Sequence, residues 1–458
     1  MALQPFADYA ADIAKADLPD EAVHAAKRCV IDWFASVLPG GQVPPATLLI
    51  RAYADCIGSR GDSESAVLYP SGHRTDPRTA ALILGAAAHT IEFDDIYRDA
   101  LYHPGAPVIS AALPLAQARG RDGESFLRSV IAGYEVSNRL GVAVNPAHYK
   151  FWHTTGTIGT FGSTAAASAV LGLDGERTAH ALANAGTLAA GLQQAFRGDA
   201  MAKPLHTAHA AETGVKLALA AELGVTGVLD ILDGDVGFGA AMCDGPDWQA
   251  AAEDLGQDFT ITRTTFKNHA ACGHTHAAID GILALRNEHG LKPDDIARIR
   301  AGTFQKALEI TGNKDPQTIF EAKFSLPYCA AMALTAGRVR TEAFSPELLK
   351  DEGLRKLIDK VEVTVDDEIE ADFPLRRAAR IEIETTGGER FEHYAPTRKG
   401  DPDNPLSDTE LAEKFLELTA PVLGGAEAQA LLEALWGLED AADLTALPAR
   451  VAEANAAQ

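Results

Sequence analysis

The spacing of apolar residues changes twice along this chain, and the first pattern is helical. Segments rich in alanine and free of strand-like alternation occur throughout residues 1–260, for instance TAALILGAAAHTIEFDD (79–95) and STAAASAVLGL (163–173). Alanine has the highest helix propensity, and its small side chain lets neighbouring helices pack closely. We therefore predict a helical bundle in this part of the chain.

A different pattern begins after residue 265. Apolar and polar residues alternate, with many β-branched side chains, in ARIRAGTF (297–304), KVEVTVDDEI (360–369) and ARIEIETT (379–386). This alternation is typical of strands with one buried face. A Gly-Gly pair (387–388) after the last of these segments indicates a hairpin turn.

Helical spacing returns at PLSDTELAEKFLEL (405–418). With 458 residues the chain is long for a single hydrophobic core, so two domains are expected. We predict a mainly α fold in which both ends of the chain, 1–267 and 398–458, form a large all-helical domain. The segment 268–397 forms a smaller, inserted α+β domain.

The charge and the apolar content exclude several classes of protein. Lys and Arg number 40 against 64 Asp and Glu, and the resulting net charge of −24 would repel a nucleic-acid backbone. A small anionic ligand remains compatible, provided that the few cations converge in a cleft. We find no run of about 18 apolar residues and no signal peptide, so we predict neither a membrane partner nor export. Five scattered cysteines fit a reducing cytoplasm.

The stretch FKNHAACGHTHAAID (266–280) raises the question of a zinc site. It places His269, Cys272, His274 and His276 close together in sequence. Structural zinc sites, however, usually pair two ligands on one turn with two on a distant element, and no second CxxC or HxxxH cluster occurs. We therefore predict no metal here, and we interpret His274 and His276 as residues that either support the site residues from behind or pack in the interior.

Acidic groups and histidines also occur in HTIEFDDIYRDALYHPGAP (89–107). We predict a helix that carries His89, Glu92 and Phe93 on one face and ends at the Asp-Asp pair 94–95. This pair either caps the helix end or contributes to a site, and the residues alone leave both interpretations open. A magnesium site of the paired-aspartate kind would require a second Asp-rich motif, and no match appears.

Basic residues occur at three further junctions. His103 lies in a loop before a Pro-Gly pair, and His153 precedes the GxxGxxG segment 156–162. The glycine spacing favours close helix packing over a phosphate-binding loop. Lys203 and His206 lie just ahead of an Ala-rich helix. A pocket that collects such groups would hold carboxylates.

Six segments in order give the chain a resemblance to a known family. They are HTIEFDD with the following HPGAPV, WHTTGTIGTFGSTAAAS, AKPLHTAHAAETG, FKNHAACGHTHAAIDG, EAKFSLPY and GDPDNPLSDTELAEKF. Together they resemble the MmgE/PrpD family, which includes 2-methylcitrate dehydratase, cis-aconitate decarboxylase and iminodisuccinate epimerase. The resemblance implies a helical domain from both chain ends, an inserted α+β domain, a homodimer, no metal or organic cofactor, and an active site between the domains.

The resemblance also implies roles for individual residues. The catalytic positions of the family match Glu92, His103, His153, Lys203, Lys267 and Tyr328. We add as candidate substrate-binding residues Asp95, His206 and Cys272. Two departures affect the transfer. Cys272 stands where the decarboxylase has a catalytic His, and the loop IYRDALY lacks the Thr-Trp that dehydratase and decarboxylase share.

These groups suit the removal of a proton next to a carboxylate. The enediolate that results is strongly basic, so cations must lie beside it, and Lys203, Lys267 and protonated histidines are suited to this role. We expect neither lysine to belong to the core. A neutral His, Asp or Glu takes the proton, and a second acid completes the step. His103 and His153 are expected to serve opposite sides of the reacting carbon, in an order left open.

We predict a cofactor-independent lyase or isomerase of a small di- or tricarboxylate. Protonation of a leaving hydroxyl by the second acid gives a dehydratase, and reprotonation of the same carbon gives an epimerase. A hydro-lyase similar to 2-methylcitrate dehydratase is favoured. The alternatives are an epimerase of an iminodisuccinate-like acid and a cis-aconitate-type decarboxylase. Outside the enzymes, the alternative is a non-catalytic carboxylate-binding dimer, which would have little use for a Tyr and a Cys among its cations.

Overall fold

The helical and strand patterns of the sequence separate into two units in the structure. The computed structural model of the protein describes residues 1–58, 64–196, 198, 200–373 and 375–449. One unit comprises Met1–Thr265 and Ser407–Gln458, and the other comprises Phe266–Leu406. The mainly α fold with an inserted α+β segment is confirmed. The junctions lie at 265/266 and 406/407, whereas the sequence placed them at 267/268 and 397/398.

The first unit is built from helices. In chain order the α-helices described in it are α1 (Gln4–Asp12), α2 (Asp20–Gly40), α3 (Ala46–Ala52), α4 (Pro77–Thr90), α5 (Gly105–Ala118), α6 (Gly123–Val144), α7 (Thr154–Leu171), α8 (Gly175–Leu188), α9 (Ala202–Glu222), α10 (Phe238–Met242), α11 (Trp248–Ala252), α18 (Asp408–Leu423) and α19 (Gly425–Trp436). None of the described helices combines the length and the apolar character needed to cross a membrane.

One short β-hairpin interrupts these helices. β1 (Ala66–Leu68) pairs in antiparallel register with β2 (His73–Thr75). The prediction of an all-helical domain is wrong at this point. Strands of three residues are too short to show an alternating pattern in the sequence.

At α7, small residues let the neighbouring helices approach closely. All but one of the α7 residues are buried. A methyl group on Gly159 would lie 2.7 Å from Pro107 Cγ in α5, and one on Gly162 would lie 2.8 Å from Ser137 Cβ in α6. Both distances are far shorter than van der Waals contact, so only glycine fits. The GxxGxxG spacing serves helix packing, as predicted.

A second close approach joins α4 to α9. The Thr207 hydroxyl donates a hydrogen bond of 2.8 Å to the Gly85 carbonyl. A methyl group on Gly85 would lie 2.9 Å from the Thr207 carbonyl oxygen, so the two backbones meet without an intervening side chain. This contact holds α4, which leads to the candidate residue Glu92, against the first turns of α9, which carry Lys203 and His206.

The second unit contains a four-stranded sheet. Its strands are β3 (Ile296–Thr303), β4 (Val361–Val365), β5 (Ala379–Thr385) and β6 (Arg390–Ala395), in the spatial order β4-β3-β5-β6. The β3–β4 pair is parallel, and the β3–β5 and β5–β6 pairs are antiparallel. The inward side chains Ile299, Ile381 and Ile383 are buried. The predicted strands and the hairpin at the Gly-Gly pair are therefore confirmed.

Helices cover the sheet and connect its strands. Those described in this unit are α12 (His276–His289), α13 (Gln305–Thr311), α14 (Ile319–Lys323), α15 (Leu326–Ala336), α16 (Glu352–Asp359) and α17 (Asp367–Asp372). A methyl group on Gly281 of α12 would lie 2.7 Å from Ile381 Cγ1 of β5, so α12 lies directly on the sheet.

Replacing Gly162 by alanine tests the packing around α7. The added methyl group would overlap Ser137, so we expect the free energy of unfolding to fall by about 1–3 kcal/mol. Gly425→Ala is the matched control, because no atom lies within 4 Å of its added group and alanine favours a helix over glycine by about 1 kcal/mol. Chemical denaturation followed by circular dichroism measures both variants. Equal stability of the two would contradict the packing role of Gly162.

Candidate active site

The chain turns sharply after α4, and this turn carries several candidate residues. The helix ends at Thr90, and Glu92 has a left-handed backbone conformation with a φ of 60°, which residues other than glycine rarely adopt. The predicted helix face shared by His89, Glu92 and Phe93 is therefore wrong, as is the predicted helix end at 94–95. Backbone strain of this kind clusters at functional sites, where surrounding contacts maintain it.

A buried lysine from the C-terminal part of the chain fixes this turn. Lys414 of α18 donates hydrogen bonds of 2.6 Å to Asp32 Oδ1 in α2 and of 2.8 Å to the Phe93 carbonyl. Its ammonium group also lies 4.2 Å from the centre of the Phe93 ring. The side chains of Lys414 and Asp32 are 0% and 1% exposed, so each charge depends on the other in place of water.

The same turn brings Glu92 to Lys203, the second residue of α9. The two side chains form an ion pair, and both are buried. Burial alone would lower the pKa of Lys203, but the negative charge of Glu92 outweighs burial and raises this pKa. Lys203 therefore keeps its positive charge. The Phe196 ring lies beside it, with its centre 5.7 Å from Nζ.

Asp94 joins two histidines. Its Oδ2 atom lies 2.6 Å from Nδ1 of His89 and 3.2 Å from Nδ1 of His103. Burial favours the protonated carboxyl, but the charges and hydrogen bonds of the two imidazoles lower the pKa of Asp94 well below its usual value. Asp94 is therefore ionised. The sequence left open whether it only caps a helix, and the structure places it among the candidate site residues.

His153 and His206 extend this group. Their Nδ1 atoms lie 3.0 Å apart, and the His153 ring stacks on His89 with 5.7 Å between ring centres. Hereafter the histidine cluster denotes His89, Asp94, His103, His153 and His206.

The imidazole rings of His153 and His206 are neutral. Burial, with the nearby charges of His89 and Lys203, lowers the pKa of His153 well below its usual value. Burial lowers the pKa of His206 to about 4. At pH 7 neither imidazole is protonated to the positively charged form. The expectation that protonated histidines supply cations is therefore wrong for His153 and His206.

Sequence reasoning did not select His89 or Asp94 as site residues. A continuous helix would place residues five positions apart on different faces, and the turn at Glu92 is what brings the two side chains together. The pattern HTIEFDD contained both residues, but it gave no sign of where the helix stops.

Asp95 is engaged on both carboxylate oxygens. Oδ1 accepts a hydrogen bond of 2.9 Å from the Gly105 backbone N–H, and Oδ2 accepts one of 2.7 Å from the Tyr134 hydroxyl. Burial and the charge of Asp32 raise the pKa of Asp95 well above its usual value. These contacts hold the start of α5. They favour a structural role for Asp95 over the substrate-binding role expected from the sequence.

The candidate residues of the second unit are more deeply buried than expected. Lys267 is 1% exposed and Cys272 is 8% exposed. Lys203 in the first unit is also only 7% exposed, so the expectation that neither lysine belongs to the core is wrong. The Tyr328 hydroxyl donates a hydrogen bond of 2.8 Å to the Ala343 carbonyl, and burial raises its pKa. This arrangement favours a packing role for Tyr328.

The other histidines of the 266–280 stretch pack inside the second unit. His276 Nε2 lies 3.1 Å from the Ala271 carbonyl oxygen, to which it donates. The His274 ring meets the Phe304 ring edge-on, with 5.4 Å between centres. Burial lowers the pKa of both histidines well below the usual value. Both are therefore neutral packing residues, in agreement with the prediction.

Three potential metal ligands meet in the histidine cluster. Ligand atoms of His89, Asp94 and His103 all lie within 4.8 Å of one another, and no such group forms among the described residues of the 266–280 stretch. The two imidazoles approach a single oxygen of Asp94 through their Nδ1 atoms. The 2.6 Å hydrogen bond between His89 Nδ1 and Asp94 Oδ2 leaves no room for a metal ion between these two atoms.

The neutral histidines predict how stability depends on pH. The pKa values lowered by burial are those of His148, His153, His206, His274 and His276. The unfolded chain binds protons at these positions below about pH 6.5, while the folded chain does not. We therefore expect the midpoint temperature of thermal unfolding to decrease as the pH is lowered from 7.5 to 5. The decrease should be less steep in His206→Gln. A midpoint that rises or stays level over this range would contradict the buried neutral state.

Two family profiles match the sequence. The MmgE/PrpD N-terminal domain matches residues 4–251, and the MmgE/PrpD C-terminal domain matches residues 269–440. The N-terminal match alone spans more than half of the 458 residues.

Curated relatives of similar length share this match across most of the chain. A cis-aconitate decarboxylase-like protein of Aspergillus oryzae is 26% identical over 97% of this chain and 96% of its own. Human cis-aconitate decarboxylase is 27% identical over 94% of this chain and 90% of its own. The mitochondrial 2-methylcitrate dehydratase of Yarrowia lipolytica is 24% identical over 84% of this chain and 76% of its own. From the two profiles and the extent of these similarities, the chain belongs to the MmgE/PrpD family.

Proposed function

We propose that this enzyme is a hydro-lyase that removes a proton next to a carboxylate of a small di- or tricarboxylate, as a 2-methylcitrate dehydratase does. Relatives in the MmgE/PrpD family are named as a decarboxylase and a dehydratase, which supports a lyase. The observation that carries the proposal of proton removal beside a carboxylate is the buried ion pair of Lys203 and Glu92 beside the histidine cluster. The chemistry proposed uses side chains alone, without a metal or an organic cofactor.

Lys203 supplies the positive charge for the developing enediolate. An unpaired ammonium in a buried site would lose its proton, and Glu92 prevents this by raising the pKa of Lys203. A fixed charge in a site shielded from water stabilises a transition-state anion far more than the same charge in water. Removing one such group typically costs about 10²–10³ in turnover.

His153 contributes as a neutral ring. Since its pKa is lowered, it acts through an N–H hydrogen bond or a free lone pair and not through a positive charge. A neutral imidazole of this kind can polarise a carbonyl or carboxylate oxygen. The Phe196 ring meets both His153, at 4.8 Å between ring centres, and the Lys203 ammonium. This shared neighbour supports a common role for the two residues.

Decarboxylation of a cis-aconitate-like acid is the second candidate. The Aspergillus oryzae and human relatives described above, a cis-aconitate decarboxylase-like protein and a cis-aconitate decarboxylase, favour it. Against it, Cys272 stands at the position where the resemblance places the decarboxylase's catalytic His. An epimerase of an iminodisuccinate-like acid would use the same two proton-transferring groups, so the reaction product must separate the three. The homodimer, the cytoplasmic location and roles for Lys267 and Tyr328 are further proposals from the resemblance.

Incubation with candidate acids in D₂O tests the proposed function. The acids are 2-methylcitrate, citrate, cis-aconitate and iminodisuccinate, and NMR follows each one before and after exhaustive chelation of metals. We expect loss of water from 2-methylcitrate, with equal rates in both preparations. Loss of CO₂ from cis-aconitate or deuterium uptake into iminodisuccinate would assign the alternative activities. No turnover and no exchange with any acid would leave the non-catalytic carboxylate binder as the better explanation.

Substitutions of the ion pair separate its catalytic role from its structural role. Lys203→Met leaves Glu92 buried without its partner, so we pair it with Lys203→Met/Glu92→Gln, which removes both charges. We expect the double variant to fold and yet to lose at least about 100-fold in turnover. Lys216→Met, in the same helix, is the matched control and should retain turnover. A folded double variant with normal turnover would place the active lysine elsewhere.

A further inference from the structure

We propose that Asp94 is a positioning residue that holds His103 with its proton on Nδ1, so that Nε2 of His103 is the base that removes the substrate proton. This inference rests on the proposed function, which names proton removal but leaves open whether His103 or His153 performs it. The geometry of the histidine cluster points to His103.

The contacts of Asp94 with His89 and His103 favour one tautomer of each ring. One carboxylate oxygen, Oδ2, lies 2.6 Å from Nδ1 of His89 and 3.2 Å from Nδ1 of His103. An ionised carboxylate can only accept hydrogen bonds. His89 makes a hydrogen bond with this oxygen, so its Nδ1 atom carries the hydrogen. At His103 the 3.2 Å contact favours the hydrogen on Nδ1 as well, because a lone pair on Nδ1 would be repelled by the carboxylate oxygen. In a neutral His103 ring the lone pair then lies on Nε2.

The charge of Asp94 is favoured by the two imidazoles on either side of it. Burial raises its pKa, and the imidazoles lower it below its usual value, through their charge when they are protonated and through their N–H hydrogen bonds. The adjacent Asp95 has the opposite state, because burial and Asp32 raise its pKa. A permanent negative charge therefore lies at Asp94, where it stabilises a positive charge that forms on a neighbouring ring.

His103 and His89, the two rings that contact Asp94, differ in their exposure to solvent. The His103 side chain is 15% exposed, whereas the His89 side chain is completely buried. A ring that receives a proton from substrate must be reached by substrate, so His103 is the base. His89 binds the same oxygen at the shorter distance and thereby orients the carboxylate toward His103.

His153 is a poorer base for an electrostatic reason. Burial lowers the pKa of His153, and the positive charge of Lys203 also opposes a positive charge on its ring. Asp94, by contrast, lies directly against His103. Proton uptake by His103 creates an imidazolium next to a carboxylate, whereas uptake by His153 would create one in a buried position near the charged Lys203.

The proposed step balances as follows. The C–H bond next to the substrate carboxylate breaks, its proton moves to His103 Nε2, and its electron pair enters the carboxylate to form the enediolate. The electron pair then forms the C=C bond as the C–O bond of the leaving hydroxyl breaks. A second acid protonates the hydroxyl to give water. His103 then releases its proton to solvent, and the second acid takes up a proton from solvent, so both groups return to their starting state. No oxidant or reductant is needed.

Nitrogen-15 NMR of the histidines in the resting full-length protein tests the tautomer without any substrate. Labelled histidine at alkaline pH gives separate signals for protonated and unprotonated ring nitrogens, and His103→Gln assigns the signals of His103. We expect Nδ1–H at His103, and a loss of that form in Asp94→Asn. His269 is the internal reference with the opposite tautomer, because its Nε2 atom faces Asp280 Oδ1 at 2.9 Å. Asp280→Asn should change the signals of His269 and leave those of His103 in place.

Kinetics of Asp94→Asn test the positioning role. In the Ser-His-Asp arrangement the same exchange lowers kcat by about 10⁴-fold, because the imidazole takes the wrong tautomer. We expect kcat to fall by about 10²–10⁴-fold, deuterium exchange into substrate to fall in parallel, and KM to change by less than tenfold.

The two experiments separate failure of this inference from failure of the proposed function. Nε2–H at His103 in the wild-type protein would overturn the inference, as would normal turnover in Asp94→Asn. If no candidate acid reacts with the wild-type enzyme, the proposed function fails. The wild-type NMR result then still decides the inference, since Nδ1–H supports Asp94 as the group that orients His103 and Nε2–H rejects it.

Discussion

The buried contact of Lys414 with Asp32 and the Phe93 carbonyl ties the candidate site to both ends of the chain. Such a pair adds little net stability, because the loss of hydration largely offsets the attraction between the charges. Loss of one partner, by contrast, costs about 3–5 kcal/mol. We attribute to this contact a geometric role. It holds the backbone between Glu92 and Asp94 in a conformation that the local sequence would not adopt.

The ionisable side chains around that turn together carry little charge. The adjacent carboxyl groups of Asp94 and Asp95 have pKa values shifted in opposite directions, and Glu92 is neutralised by Lys203. The neutral His153 and His206 add no charge of their own. A protein with a net charge of −24 thus limits negative charge at the place where an anionic substrate is proposed to bind. Each of these side chains influences the protonation state of its neighbours. The reactivity of any one residue therefore depends on the whole group.

Features that depend on local periodicity were predictable from the sequence. The Ala-rich helices, the alternating strands and the glycine spacing of α7 repeat within a few residues, so each segment carries its own signal. The end of α4 and the conformation of Glu92 could not be predicted from the local sequence, because Lys414, 321 positions away from Phe93, helps to determine them. Resemblance to a family supplied His103, His153 and Lys203 as candidates. It could not supply their protonation states, which depend on burial and on partners from distant segments.

The order of synthesis gives the Lys414 contact a further consequence. Lys414 follows the whole inserted unit in sequence, so a ribosome completes residues 1–265 well before it reaches this lysine. At about 5–20 residues per second, the interval is on the order of 10 s. During that time the nascent helical unit contains Asp32 before its lysine partner exists, and the backbone at Phe93 lacks its anchor. The turn after α4 can therefore be held in the conformation described above only once Lys414 has been synthesised.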